Sequence, residues 1–135
     1  MKYQFKADED NITLSYKDKS FTFKTNVKLI SEMQGLIMKS RIKMIQDLSK
    51  EGQSVRDLIK ETKKDGKTYT DNSNKVELER IYQEQVTMDF YNNKCEEIFG
   101  MDLASLMIDI GLQTEEEGTK FSTDFVSYLS GNIPR

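Results

Sequence analysis

The chain contains no histidine among its 135 residues. Histidine is the commonest general base in enzymes and a frequent metal ligand, so Ser/His/Asp and Cys/His catalytic arrangements are excluded. The single cysteine, Cys95, excludes an intramolecular disulfide and a zinc site built from several thiolates. We therefore expect a non-enzymatic protein that needs no cofactor and no metal and resides in a reducing cytoplasm.

Long apolar runs are also missing. No stretch approaches the roughly 20 consecutive apolar residues of a membrane-spanning helix, and the opening MKYQFKADED lacks the apolar segment of a signal peptide. The net charge is -3 and the pI about 5.1, whereas nucleic-acid-binding domains are usually basic. We expect neither a membrane nor a nucleic acid among the partners.

The first 25 residues alternate between polar and apolar side chains, which is typical of strands. Turn-rich DEDN and KDKS separate three short runs. Each run places its apolar residues on one face: Tyr3, Phe5 and Ala7; then Ile12, Leu14 and Tyr16; then Phe21 and Phe23. This pattern predicts a small antiparallel sheet, which is too small to be stable unless it packs on helices.

Helical spacing begins abruptly after the predicted sheet. Asn26 is a plausible N-cap for a helix from Val27 to about Lys50, ending near Gly52. Further helices are predicted over 55–64, 75–99, 103–111 and 119–131. Asp102 is expected to begin the helix over 103–111, and Gly111 is expected to end it. The segment Asp65–Asn74 is expected to be a mobile loop, TEEEG a solvated turn, and the tail NIPR frayed.

The predicted architecture is therefore one α+β, mainly α domain. A small N-terminal hairpin or sheet region (1–25) packs on a helical body (26–135) of about four to five helices. A chain of 135 residues fits one domain of this kind.

The clusters of charged residues do not indicate a catalytic or phosphate-binding site. Carboxylates are adjacent at 8–10, 96–97 and 115–117, but nothing places two of them across an apolar cleft, so solvated loops and helix ends are the preferred interpretation. Four lysines at 60, 63, 64 and 67 lie near Tyr69 and are interspersed with Glu61 and Asp65, which weakens any phosphate site. Cys95 falls on an apolar helix face and is expected to be an inert thiol.

The first helix carries more apolar surface than an ordinary surface helix. Beside its main apolar side, this helix has a second apolar flank. Several of the seven methionines of the chain fall at apolar positions of predicted helices. Methionine is flexible, and surfaces that accept varied helices use it often, although core filling explains the same residues. These features predict an interaction protein.

The hairpin ITLSYKDKSFTFKT followed directly by the amphipathic NVKLISEMQGL resembles the start of tail assembly chaperones of long-tailed bacteriophages and prophages. The later EEIFGMDLASLMIDIGL and the C-terminal helix are also similar to these proteins. The resemblance implies a partner, the tape measure protein, whose long helices such a chaperone keeps soluble in the host cytoplasm. It also implies that the protein self-associates and that the tail tube protein is a further candidate partner.

On this hypothesis a partner helix lies in an apolar groove. The expected contact residues lie away from the main apolar stripe of their own helices: Met38, Ile42, Ile45, Val86 and Phe90. Alternatives stay open. The first is a structural tail component, such as a completion or connector protein, that is retained in the particle; the others are a small carboxylate- or lysine-based enzyme and a small acidic regulator.

Overall fold

The computed structural model describes residues 1–132 and confirms the α+β, mainly α class. The predicted tail extends beyond Asn132 and so lies largely outside the described residues. The described part has a three-stranded antiparallel sheet, a separate two-stranded hairpin and five α-helices. The helices are α1 (Val27–Gln34), α2 (Leu36–Lys50), α3 (Ser73–Phe99), α4 (Leu103–Ile110) and α5 (Glu115–Leu129).

The chain forms two compact units. The first combines Met1–Gln34 with the residues from Phe90 onward, and the second is Gly35–Asp89. The helix α3 runs without interruption through Asp89 and Phe90, so its first part belongs to the second unit and its last part to the first unit.

The N-terminal sheet has the predicted alternation. Strands β1 (Gln4–Asp8), β2 (Asn11–Tyr16) and β3 (Lys19–Lys24) pair in the order β1-β2-β3. Phe5 lies opposite Leu14, and Ile12 lies opposite Phe23, so the apolar side chains share one face. Ile12 and Leu14 are completely buried, which explains why the register is specified: a shift by one residue would expose them.

Helices of the first unit cover that face. Phe121 and Phe125 of α5 are fully buried, and the Phe5 ring stacks on Tyr128 with ring centroids 4.8 Å apart. Phe99, at the end of α3, makes edge contacts with Phe21 and Phe23. The sheet and these helices therefore share one aromatic core.

Three predicted helix ends are confirmed in the first unit: the starts at Asn26 and Asp102 and the end at Gly111. The Asn26 side chain accepts a hydrogen bond from the backbone N–H of Leu29 at 2.7 Å, and Asp102 accepts one from the N–H of Ser105 at 2.7 Å. Gly111 ends α4 with a φ of +96°, a conformation that glycine adopts without strain.

Three predicted boundaries were wrong. The first long helix is divided at Gly35, since glycine has low helix propensity. The predicted acidic turn TEEEG is the start of α5: Thr114 caps it, and Glu115–Glu117 form its first turn, where carboxylates interact favourably with the helix dipole. The predicted helix over 55–64 is only a 3-10 turn, Val55–Leu58, followed by a strand.

The second unit contains a hairpin in place of the predicted mobile loop. Strands β4 (Lys60–Lys64) and β5 (Lys67–Asp71) pair across Asp65 and Gly66. These two turn residues have φ of +54° and +73°. An Asp-Gly pair with both φ values positive is the preferred two-residue hairpin connection, which explains why the chain reverses here.

Candidate partner-binding surface

The five residues predicted to bind a partner fall into two groups. Met38, Ile42 and Ile45, all on α2, are 57%, 49% and 52% exposed. Val86 and Phe90, both on α3, are only 4% and 9% exposed. The three residues of α2 therefore form a surface, which we name the outer stripe, whereas Val86 and Phe90 contribute to packing and are not available to a partner in this conformation.

The helix α2 has a second, buried stripe on its opposite side. Its members recur every four residues: Leu36, Ser40, Met44 and Leu48. The Ser40 hydroxyl donates a hydrogen bond to the carbonyl oxygen of Ile37 at 2.6 Å, so this buried polar group is satisfied within the helix. At about 100° per residue, the outer stripe covers an arc of about 60° centred roughly half a turn from the buried stripe.

The outer stripe borders a shallow depression of about 540 Å³. Its apolar lining comes from Met38 and Ile42, and Lys39, Lys43 and Gln46 form one rim, with Gly35 at its end. Ile45 borders a second depression of about 360 Å³ with Arg41 and Val55.

Positive charge surrounds the outer stripe. Within residues 1–132, none of Lys39, Arg41 and Lys43 forms a salt bridge. The only acidic residue of α2 is Asp47, which accepts a hydrogen bond at 2.7 Å from the hydroxyl of Tyr82 on α3. That hydrogen bond raises the pKa of Tyr82.

Further exposed apolar residues were not predicted to lie on the surface. They are Ile37 on α2 and Val76, Ile81 and Met88 on α3. The sequence pattern predicts that Val86 and Phe90 lie away from the main apolar stripe of their helix, yet both are buried, whereas Ile81 and Met88 are exposed. The structure reverses this assignment, because the buried side of α3 turns by about 140° between Phe90 and Cys95. One periodic pattern cannot describe a helix whose buried side changes along its length.

The acidic clusters have structural explanations. Glu9 and Asp10 form the turn between β1 and β2, and Glu97 pairs with Lys94 at 3.3 Å. Within residues 1–132 there is no group of three or more acidic or cysteine side chains that could hold a metal ion. Glu9, Asp10 and Glu97 therefore have structural roles in a turn and an ion pair.

The lysines at 60, 63, 64 and 67 lie on the hairpin β4–β5, where every residue is exposed. Cys95 is completely buried, and burial raises the pKa of its thiol to about 12. A thiol with that pKa is almost entirely protonated at neutral pH and is a poor nucleophile.

No protein-family model, curated protein or solved structure matches this chain. None of the helices in the described part of the chain is long and apolar enough to span a membrane.

Proposed function

We propose that this protein is a non-enzymatic tail assembly chaperone of a phage or prophage and that it binds helical segments of the tape measure protein in the bacterial cytoplasm. The observation that carries the proposal is the outer stripe: three large apolar side chains, Met38, Ile42 and Ile45, stay about half exposed on one face of α2. The N-terminal sheet that leads directly into a helix supports the resemblance that suggested this family, although the hairpin β4–β5 interrupts the helical body that follows.

The outer stripe has the spacing that a partner helix requires. Its residues stand at positions i, i+4 and i+7, which form a continuous ridge along one side of α2. An amphipathic helix that lays its own apolar face on this ridge removes both surfaces from water, which is favourable at about 25 cal/mol per Å² of buried apolar area.

A chaperone must accept more than one segment of a long client. Met38 can adapt its unbranched side chain to partners of different shape, and the shallow depression beside it imposes no deep, specific pocket. An adaptable apolar surface with a charged rim is also suited to reversible binding, since the client is released when the tail assembles.

Co-expression with fragments of the tape measure protein from the same phage or prophage tests the proposal. We expect helical fragments that are insoluble alone to be recovered in a soluble complex. The variant M38S/I42S/I45S is expected to lose the complex. The variant I108S is a control, because Ile108 is also strongly exposed but belongs to α4 of the first unit and not to the outer stripe.

Two outcomes would overturn the proposal. If no fragment binds and the protein assembles into fixed rings that are found in purified particles, it is a structural tail component. If fragments bind equally well to M38S/I42S/I45S and to the unaltered protein, the outer stripe is not the client site.

A further inference from the structure

The cations around the outer stripe are arranged on both of its sides. At about 100° per residue, Arg41 lies on one side of the stripe, and Lys39 and Lys43 lie on the other. Lys39 and Lys43 are four residues apart and so follow the helix axis parallel to the apolar ridge. A helix placed on the ridge would have a positive charge along each of its edges.

Two carboxylates lie near these cations, but neither forms a salt bridge with them: Glu79 borders the same depression as Arg41 and pairs with Lys75 at 3.5 Å, and Asp47 follows Lys43 by four residues. Asp47, the only acid of α2, is held by the hydroxyl of Tyr82, and no carboxylate within residues 1–132 forms a salt bridge with Lys39, Arg41 or Lys43. The rim is therefore cationic and free to pair with a partner.

We propose that the outer stripe selects client helices in which the apolar face is bordered by aspartate or glutamate on both sides. This inference rests on the proposed function and names its substrate class. Contact with an apolar ridge lowers the local dielectric constant, so opposite charges at the edges attract more strongly and like charges repel more strongly than in water. The cationic rim thereby favours acidic helices and rejects basic ones.

An anionic membrane is the other surface that a basic amphipathic helix fits. The geometry favours a protein helix. From Met38 to Ile45 the stripe extends only about 10 Å along the axis, at about 1.5 Å per residue, and it contains no aromatic residue. Such a narrow, short ridge matches about two turns of a facing helix, whereas interfacial membrane helices present a wider apolar face rich in Trp, Phe and Leu.

Two designed peptides test the inference on the full-length protein. Each has about 20 residues, enough to form a helix in water, and carries leucines at i, i+3, i+4 and i+7. One peptide has glutamate at the positions flanking the leucines and the other has lysine there. We expect the glutamate peptide to bind about tenfold more tightly at low ionic strength, and the difference to disappear near 1 M salt.

Charge-reversal variants test whether the cations of α2 cause the preference for the glutamate peptide. The variant K39E/R41E/K43E is expected to invert the preference and bind the lysine peptide more tightly. The matched control K60E/K63E/K67E makes the same change in net charge on the exposed hairpin and is expected to keep the original preference. Circular dichroism confirms that each variant is folded, and the salt dependence of the unaltered protein gives an independent measurement.

Several results would overturn the inference. The first is that the two peptides bind equally well or that neither binds. The second is that the hairpin variant K60E/K63E/K67E inverts the peptide preference and the α2 variant K39E/R41E/K43E does not. The third is that the protein binds phosphatidylserine vesicles tightly and that these vesicles compete with the glutamate peptide.

The fragment assay separates this failure from failure of the proposed function. If K39E/R41E/K43E solubilises tape measure fragments as well as the unaltered protein does, the function stands and the charge selection fails. If the peptides show the expected preference but no tape measure fragment is solubilised, the proposed chaperone function is wrong and the outer stripe binds an acidic helix of another protein.

Discussion

The hydroxyl of Tyr16 donates a hydrogen bond to Oδ2 of Asp109 at 2.7 Å. This bond connects the end of β2 to α4, 93 residues further along the chain. Lys19 reaches the same carboxylate oxygen at 2.7 Å, so one aspartate receives two donors from the sheet. The sheet is thus held to the helices by a polar contact at its edge as well as by its apolar face.

Replacing Tyr16 by phenylalanine should destabilise the protein by about 1 kcal/mol, because the mutation removes one hydrogen bond at a largely buried site while keeping the ring. Urea denaturation followed by circular dichroism measures the change. Tyr69→Phe is the control, since the Tyr69 side chain is exposed on the hairpin and should leave the unfolding midpoint unchanged. Equal midpoints for Tyr16→Phe and the unaltered protein would contradict the prediction.

Asp109 should make stability depend on acid pH. The hydrogen bonds from Lys19 and Tyr16 lower the pKa of Asp109 below its usual value. A group with a lowered folded-state pKa adds stability that is complete above its unfolded pKa of about 4 and is lost as the pH falls through the folded value. We expect Asp109→Asn to be less stable than the unaltered protein at pH 7. The difference between them should shrink as the pH approaches 2.

Thermal unfolding of both proteins across this pH range checks the prediction. Other carboxylates, such as Asp102 and Glu117, also have a lowered pKa, so both proteins should lose stability in acid. Only the difference between the two proteins reports on Asp109, and a difference that stays constant with pH would show that its ionisation is not involved.

Cys95 should be unreactive in the folded protein. Its thiol is buried and has a pKa of about 12 for that reason, so alkylation or disulfide exchange requires local opening. We expect the native thiol to react with a chromogenic disulfide at least about a hundredfold more slowly than the thiol in the variant C95A/S49C, because Ser49 is exposed. Comparable rates would mean that α3 opens readily around Cys95.

The two faces of α2 should respond differently to truncation. Met44→Ala removes a side chain that is only 2% exposed and should cost about 2–5 kcal/mol of unfolding free energy. Ile42→Ala, on the outer stripe of the same helix, should change it by about 0.5 kcal/mol or less. Denaturation midpoints of the two variants provide the measurement. A large loss for Ile42→Ala would show that the outer stripe is packed in solution.

Local patterns in the sequence were sufficient to predict most of the strands and helices of the first unit. Alternation located the strands, and the short polar side chains of Asn26 and Asp102 located two helix starts, because each satisfies a free backbone N–H at its own helix end. Such features act within a few residues and need no knowledge of the rest of the fold.

The second unit was harder to predict. The strands β4 and β5 contain almost no apolar residues, so they lack the alternation that marks a half-buried strand, and only the Asp65–Gly66 turn signals the hairpin. The outer stripe was partly predictable because α2 has two separate apolar sides. Which residues of α3 are buried depends on tertiary contacts, and that is why Val86 and Phe90 were assigned to the surface.

The first unit is assembled from two distant parts of the chain, and this arrangement determines the order in which it can fold during synthesis. The strands are made early, yet residues that bury them, such as Phe121 and Phe125, are made about a hundred residues later. Until α5 leaves the ribosome, Ile12 and Leu14 have no core to enter. The chain that we propose to protect a client from aggregation is therefore itself exposed to aggregation while it is being translated.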